Sequence, residues 1–151
     1  MGRRESANRP VPGNFASTAL EEWVNRHRMS EAKLPQNRDV WNALEFIAIN
    51  LSLSLDVSDV VSAVCATRRT LERQFLKVTG CTIEKTISGL RIQGGAVLLR
   101  TTDLSITLVG TYVGINSSAQ FSRQFRKAFG QSPTEYSKLH HQKADPLLPA
   151  S

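Results

Sequence analysis

The sequence predicts an all-α protein made of two helix-turn-helix units joined by a long linker helix. Three observations carry that prediction. Apolar residues recur at helical rather than strand spacing through most of the chain. Residues 67–80 lie over residues 117–130, pairing Leu71 with Phe121, Arg73 with Arg123, Phe75 with Phe125 and Lys77 with Lys127. Between the two copies, residues 82–100 keep one continuous helical pattern. A supersecondary unit that occurs twice is a far more specific signal than either copy alone.

Composition sets the bounds. The chain has 151 residues, 40% of them hydrophobic, enough for one domain with a real core. Its 19 Lys and Arg outnumber 13 Asp and Glu, for a formal charge of +6. That balance suits a polyanionic partner, although charge alone does not separate nucleic acid from an acidic membrane surface. Cys65 and Cys81 are too few for a disulfide framework and fit a reducing cytoplasm. No run approaches the roughly 18 apolar residues of a spanning helix, so no membrane partner is expected. Arg3 and Arg4 are followed by no apolar segment, which leaves a secretory or twin-arginine signal unsupported, and Gly2 with Ser6 meets only the loose myristoylation pattern.

Residues 1–38 read as a flexible arm with one short helix and no sensor domain. Residues 1–16 are polar and contain Pro10, Pro12 and Gly13, and Arg3, Arg4 and Arg9 read as solvated charges. Thr18 and Glu21 have capping-box spacing and open a helix with Leu20, Trp23 and Val24 on one side. Pro35 then marks a linker, and Asp39 caps the next helix, whose Val40, Leu44, Ile47 and Leu51 share a face flanked by Trp41. The alternation of Leu51, Leu53 and Leu55 with serines imitates a strand, but five isolated residues read as a helix end and loop.

In the first unit Asp56 or Ser58 starts a short helix running through Val64, and Thr67 caps a second helix that ends near Thr79. Leu71, Phe75 and Val78 form the core stripe of that second helix, leaving Arg69, Glu72, Arg73 and Leu76 on the opposite side. Cys65 stands where Gly114 stands in the second copy. If that place needs positive φ, its Cβ costs about 1–2 kcal/mol. In the linker helix, Ile83, Ile87, Leu90, Leu98 and Leu99 supply apolar contacts, while Gly94 and Gly95 each cost roughly 0.5–1 kcal/mol relative to Ala and predict a weakened rod.

The second unit opens at Asp103 or Ser105 and turns through Val113, Gly114, Ile115 and Asn116. Upstream of that turn the register falls by one, with Val57, Val60, Val61 and Val64 lying over Ile106, Val109, Gly110 and Val113, so the second turn is one residue longer. Asn116 or Ser117 caps a helix whose Phe121, Phe125 and Phe129 make one stripe, which turns Ser122, Arg123 and Arg126 outward. After Gly130, Ser132 caps a last helix with Pro133 in its first turn, and His140 and His141 close it. Residues 39–140 form the domain, and 141–151, with Pro146 and Pro149, read as a disordered tail.

Three motifs now point to a family. They are Thr67-Arg68-Arg69-Thr70-Leu71-Glu72-Arg73-Gln74-Phe75, the linker Arg91-Ile92-Gln93-Gly94-Gly95-Ala96-Val97-Leu98-Leu99, and Phe121-Ser122-Arg123-Gln124-Phe125-Arg126 running into Gly130-Gln131-Ser132-Pro133-Thr134-Glu135-Tyr136. With them, residues 39–140 resemble the DNA-binding domain of the AraC/XylS transcription regulators, most of all the xylose-type ones. The resemblance implies a double helix-turn-helix that binds double-stranded DNA, with Arg69, Glu72, Arg73, Ser118, Ala119, Gln120, Ser122 and Arg123 at positions that face the groove. Full-length members place a ligand-sensing domain ahead of this one, which some 38 residues cannot form. Members also usually have Ala where Gly95 stands.

Chemistry fits that implication. Arg pairs bidentately with guanine in the major groove, and Glu accepts from cytosine N4. Thr67, Arg68, Lys77, Ser117, Arg126 and Lys127 are better placed for phosphates, because helix N-termini offer free N–H groups and cations add attraction without sequence information. The bland alternative is that Arg69 and Arg73 form a solvated face or pair with Glu72 at helical spacing. Cys65 and Cys81 lie sixteen residues apart with no His or Cys between them, so neither metal nor cofactor is expected. No catalytic triad, paired-carboxylate motif or phosphate loop is visible, and the methyl-transfer DNA repair proteins that carry a related domain need a metal-held cysteine cluster that this chain lacks. The expected protein is a non-enzymatic cytoplasmic transcription regulator in which two recognition helices enter successive major grooves about 34 Å apart, so that a monomer can bind. A rival keeps the fold but has a degenerate regulator act by pairing with another regulator or with RNA polymerase.

Overall fold

The computed structural model describes residues 13–27 and 37–144, and among them finds only helices, turns and loops. The polar arm 1–12, the linker around Pro35 and the tail from residue 145 lie outside the described residues.

Helix α1, Phe15–Arg26, begins three residues before the expected start at Thr18. Thr18 N donates to Asn14 O at 2.9 Å, so Thr18 already lies inside the first turn and does not cap it. Burial of Phe15 is the physical reason for the earlier start, since its ring packs against both hydrophobic cores. Helix α2, Arg38–Ile49, likewise starts just before Asp39. Its N-cap is Asn37, and Asp39 sits in the first turn, where a carboxylate favours the helix dipole.

The first unit comprises α3, Val57–Ala63, and α4, Arg68–Thr79. Asp56 rather than Ser58 starts α3, through a reciprocal box in which Asp59 N donates to Asp56 Oδ1 at 2.9 Å and Asp56 N donates to Asp59 Oδ2 at 3.0 Å. The long helix α5, Ile83–Thr101, leads to the second unit, α6, Ile106–Tyr112, and α7, Ser118–Phe129. Ser105 caps α6 and Ser117 caps α7, which settles both open choices of cap. The last helix, α8, Pro133–Ala144, carries on past His140, and His141 Nε2 lies 2.7 Å from Thr102 O.

Two cores share α5. One gathers Leu20, Trp23, Leu44, Ile47, Leu71, Phe75 and the early α5 residues Ile83, Ile87 and Leu90. The other gathers Ile92, Leu98, Leu99, Val109, Phe121, Phe125 and Tyr136. Residues 92–99 of α5 are buried without a break, so this stretch is enclosed on all sides.

Gly94 and Gly95 have a packing reason inside that enclosure. A Cβ on Gly95 would stand 2.7 Å from Cε1 and Cζ of Phe121, and one on Gly94 would stand 3.1 Å from Leu51 Cδ1 and Phe15 Cε1. Helix propensity is sacrificed there so that two aromatic rings can lie directly on the backbone. Polar ties add to this joint. Glu22 of α1 accepts from Gln93 Nε2 at 2.8 Å and pairs with Arg100, whose Nη1 also donates to Tyr136 OH at 3.0 Å. Burial opposes the charge on Arg100, but its bonds to Glu22 and Tyr136 outweigh that and hold the guanidinium above its ordinary pKa.

Candidate nucleic-acid interface

Each recognition helix is fixed at both ends by its own sequence. At the start of α4, Thr67 Oγ1 accepts from Thr70 N at 3.2 Å, and at the start of α7, Ser117 Oγ accepts from Gln120 N at 3.2 Å. Both helices stop at a left-handed glycine, Gly80 with φ 77° and Gly130 with φ 76°. Leu71 and Phe75 in α4, and Phe121 and Phe125 in α7, are fully buried, so rotation about either helix axis is fixed.

The two turns are built differently, which accounts for the one-residue shift in register. In the second unit Ile115 N donates to Gly110 O at 2.7 Å, and Gly114 takes φ 84° with a would-be Cβ only 2.3 Å from Leu51 O. In the first unit the chain leaves α3 with Val64 extended, at φ −122° and ψ 159°. Cys65 is exposed in that turn, while Cys81 is half-buried, and both thiols are free.

Of the residues expected to read bases, Arg69, Glu72, Arg73, Ser118, Ala119, Gln120 and Arg123 are exposed and Ser122 is half-buried. Glu72 pairs with Arg68 at 3.3 Å, one turn back, and not with Arg69 or Arg73. Among the described residues no hydrogen bond or ion pair engages Arg69, Arg73 or Arg123. The three arginines thus reach solvent with their donors unspent. Ser118 Oγ lies 2.9 Å from Thr107 Oγ1 of α6, which leaves it hydroxyl capacity for one further partner. Of the expected phosphate contacts, Thr67, Arg68, Lys77, Ser117, Arg126 and Lys127 are all exposed.

The starts of the two recognition helices converge on one stretch of α5. A cleft of about 390 Å³ is lined by Asp56, Ser58, Arg68, Glu84, Ser88 and Arg91, and a neighbouring one of about 480 Å³ by Ser88, Arg91, Asn116, Ser117, Gln120 and Gln124. Ser88 and Arg91 border both. Sequence reasoning missed Arg91 as a candidate, although it opens the quoted linker motif. The visible signal is a polar pair, Ser88 and Arg91, at i, i+3 on a helix otherwise rich in apolar residues. Arg26 was missed too. It donates to Ala128 O at 3.2 Å and lies 4.5 Å over the Phe129 ring, linking α1 to the end of α7.

Comparison with known proteins agrees with this geometry. A family described as a helix-turn-helix domain matches residues 60–139. The melibiose operon regulatory protein of Escherichia coli K12 is 34% identical over 134 residues, 89% of this chain and 42% of that protein. The chain thus spans less than half the length of the curated relatives it matches. An AraC-type transcriptional regulator of known structure from Chromobacterium violaceum superposes with a TM-score of 0.68 at 28% identity, over 72% of this chain and 96% of that one. The xylose-binding transcription activator superposes with a TM-score of 0.62 at 30% identity, over 65% of this chain and 26% of that one. Two capped, glycine-ended recognition helices on one enclosed linker, joined to these likenesses, mean that the chain belongs to the AraC/XylS family of transcription regulators and carries their DNA-binding domain.

Proposed function

We propose that the protein regulates transcription by binding a specific duplex sequence with both helix-turn-helix units. Helices α4 and α7 enter successive major grooves about 34 Å apart on one side of the DNA. Arg69, Arg73 and Arg123 take guanine edges, Glu72 a cytosine amine, and Ser118, Ala119, Gln120 and Ser122 complete the second half. Thr67, Arg68, Lys77, Ser117, Arg126 and Lys127 hold backbone phosphates. A monomer suffices, because one chain carries both readers, and DNA as the target makes the bacterial cytoplasm its place of action. No catalysis is part of this reading.

The observation that carries it is the set of unengaged arginines, Arg69, Arg73 and Arg123, held outward by fully buried ridges on two equivalent helices. Selection from random duplexes tests it. Arg73→Ala is expected to relax one half of the selected motif and Arg123→Ala the other, each at about 1–3 kcal/mol. With about six phosphates neutralised, log K should fall with log salt at a slope of about five. Sequence-indifferent or salt-insensitive binding would instead favour action through another regulator or RNA polymerase, a reading to which the exposed Leu108 and Tyr112 on α6 lend support.

A further inference from the structure

Among the described residues Arg91 has no anionic partner. Its Nη2 donates to Leu53 O at 2.8 Å, its Nε is buried with no partner, and among the described residues no carboxylate pairs with it. Glu84 borders one of the same clefts two turns earlier on α5, yet makes no ion pair with it. Desolvation by burial lowers the guanidinium's pKa. Arg100 lies further along the same helix and is also part-buried, but its carboxylate is supplied by Glu22. A half-buried charge left uncompensated is costly, so Arg91 is suited to take an anion from outside the described residues.

Position says which anion. Arg91 and Ser88 border both clefts, and those clefts end at Arg68 on the first recognition helix and at Ser117 and Gln120 on the second. On one face of the duplex, the midpoint between two readers in successive major grooves faces the minor groove and the two sugar-phosphate strands that flank it. We propose that Arg91, with the Ser88 hydroxyl beside it, seats a DNA backbone phosphate between the two half-sites. This rests on the two-reader binding proposed above. It adds a contact that senses the separation of the half-sites and not their bases, so Arg91 sets preferred spacing.

The test uses the full chain and its selected duplex, with the phosphates between the half-sites replaced one at a time by neutral methylphosphonates. For the wild-type protein, one replacement should lower the salt slope by about one and weaken binding roughly tenfold at 0.1 M salt. Arg91→Gln should show the same loss on unmodified DNA, and no further loss on the modified duplex. It should also tolerate one base pair inserted between the half-sites better than wild type does. If Arg91→Gln does not fold, the methylphosphonate series on wild type decides alone. A wild-type slope of about five that no central replacement changes overturns the phosphate seat and leaves DNA reading intact. Absence of salt-dependent binding by wild type overturns both. Should inorganic phosphate raise the melting temperature of wild type but not of Arg91→Gln, while the DNA slope stays unchanged, the anion is a free phosphate and the proposal fails.

Discussion

Gly95 shows how one residue's sign can be misread from propensity alone. In a bare helix, Gly95→Ala would gain roughly 0.5–1 kcal/mol. Here the new methyl would meet the Phe121 ring at 2.7 Å, and that ring is fully buried. Overpacking of this kind costs about 1–3 kcal/mol, so the variant should be less stable than wild type in urea denaturation. A more stable variant would mean that the ring moves freely. Gly114 answers to two demands together, a left-handed φ of 84° and the nearness of Leu51 O, so Gly114→Ala should cost more than Gly95→Ala in the same assay.

At the level of the element, caps and stripes were legible and helix starts were less so. Thr67 and Ser132 could be named from sequence, and Ser105 and Ser117 as one of two candidates each, because a hydroxyl before an apolar period has few other uses. Thr18 and Asp39 misled for the same reason. Each has the right chemistry, but burial of Phe15 and an N-cap at Asn37 moved the true starts a few residues upstream. The start of α8 carries a pH signature. Ser132 N donates to Glu135 Oε1 at 2.9 Å and Glu135 N donates to Ser132 Oγ at 3.1 Å. The backbone bond from Ser132, then its side chain, then the charge on Arg126 lower the pKa of Glu135 from its usual 4.5. A carboxylate lowered by folding adds stability above its unfolded pKa and loses it as pH falls through the folded value. Glu135→Gln should therefore flatten the acid limb of a plot of melting temperature against pH below about 4.5, by lowering the neutral plateau and leaving the value in acid little changed.

For the molecule as a whole, the duplicated unit was legible because the repeat fixed both readers, the longer second turn and the helix between them. The fit of α1 against both halves was not. Glu22 and Arg100 are 78 residues apart, and neither carries a local signal of the other. Phe15, Trp23, Glu22 and Arg26 turn what reads as an arm into a strap across the linker helix. Breaking one tie tests this. Glu22→Gln leaves Arg100 part-buried without its carboxylate and should cost about 1–3 kcal/mol in global stability. If α1 is a loose appendage, denaturation will not register the change.

The unbroken burial of residues 92–99 bears on motion as well as on strength. A backbone amide there meets solvent only when one half of the protein lifts off the helix, and the two halves enclose it from different sides. These amide protons should be the slowest in the molecule to exchange with deuterium, at the rate of complete unfolding. Neither half could then melt as a separate unit, and calorimetry should record one transition for the pair.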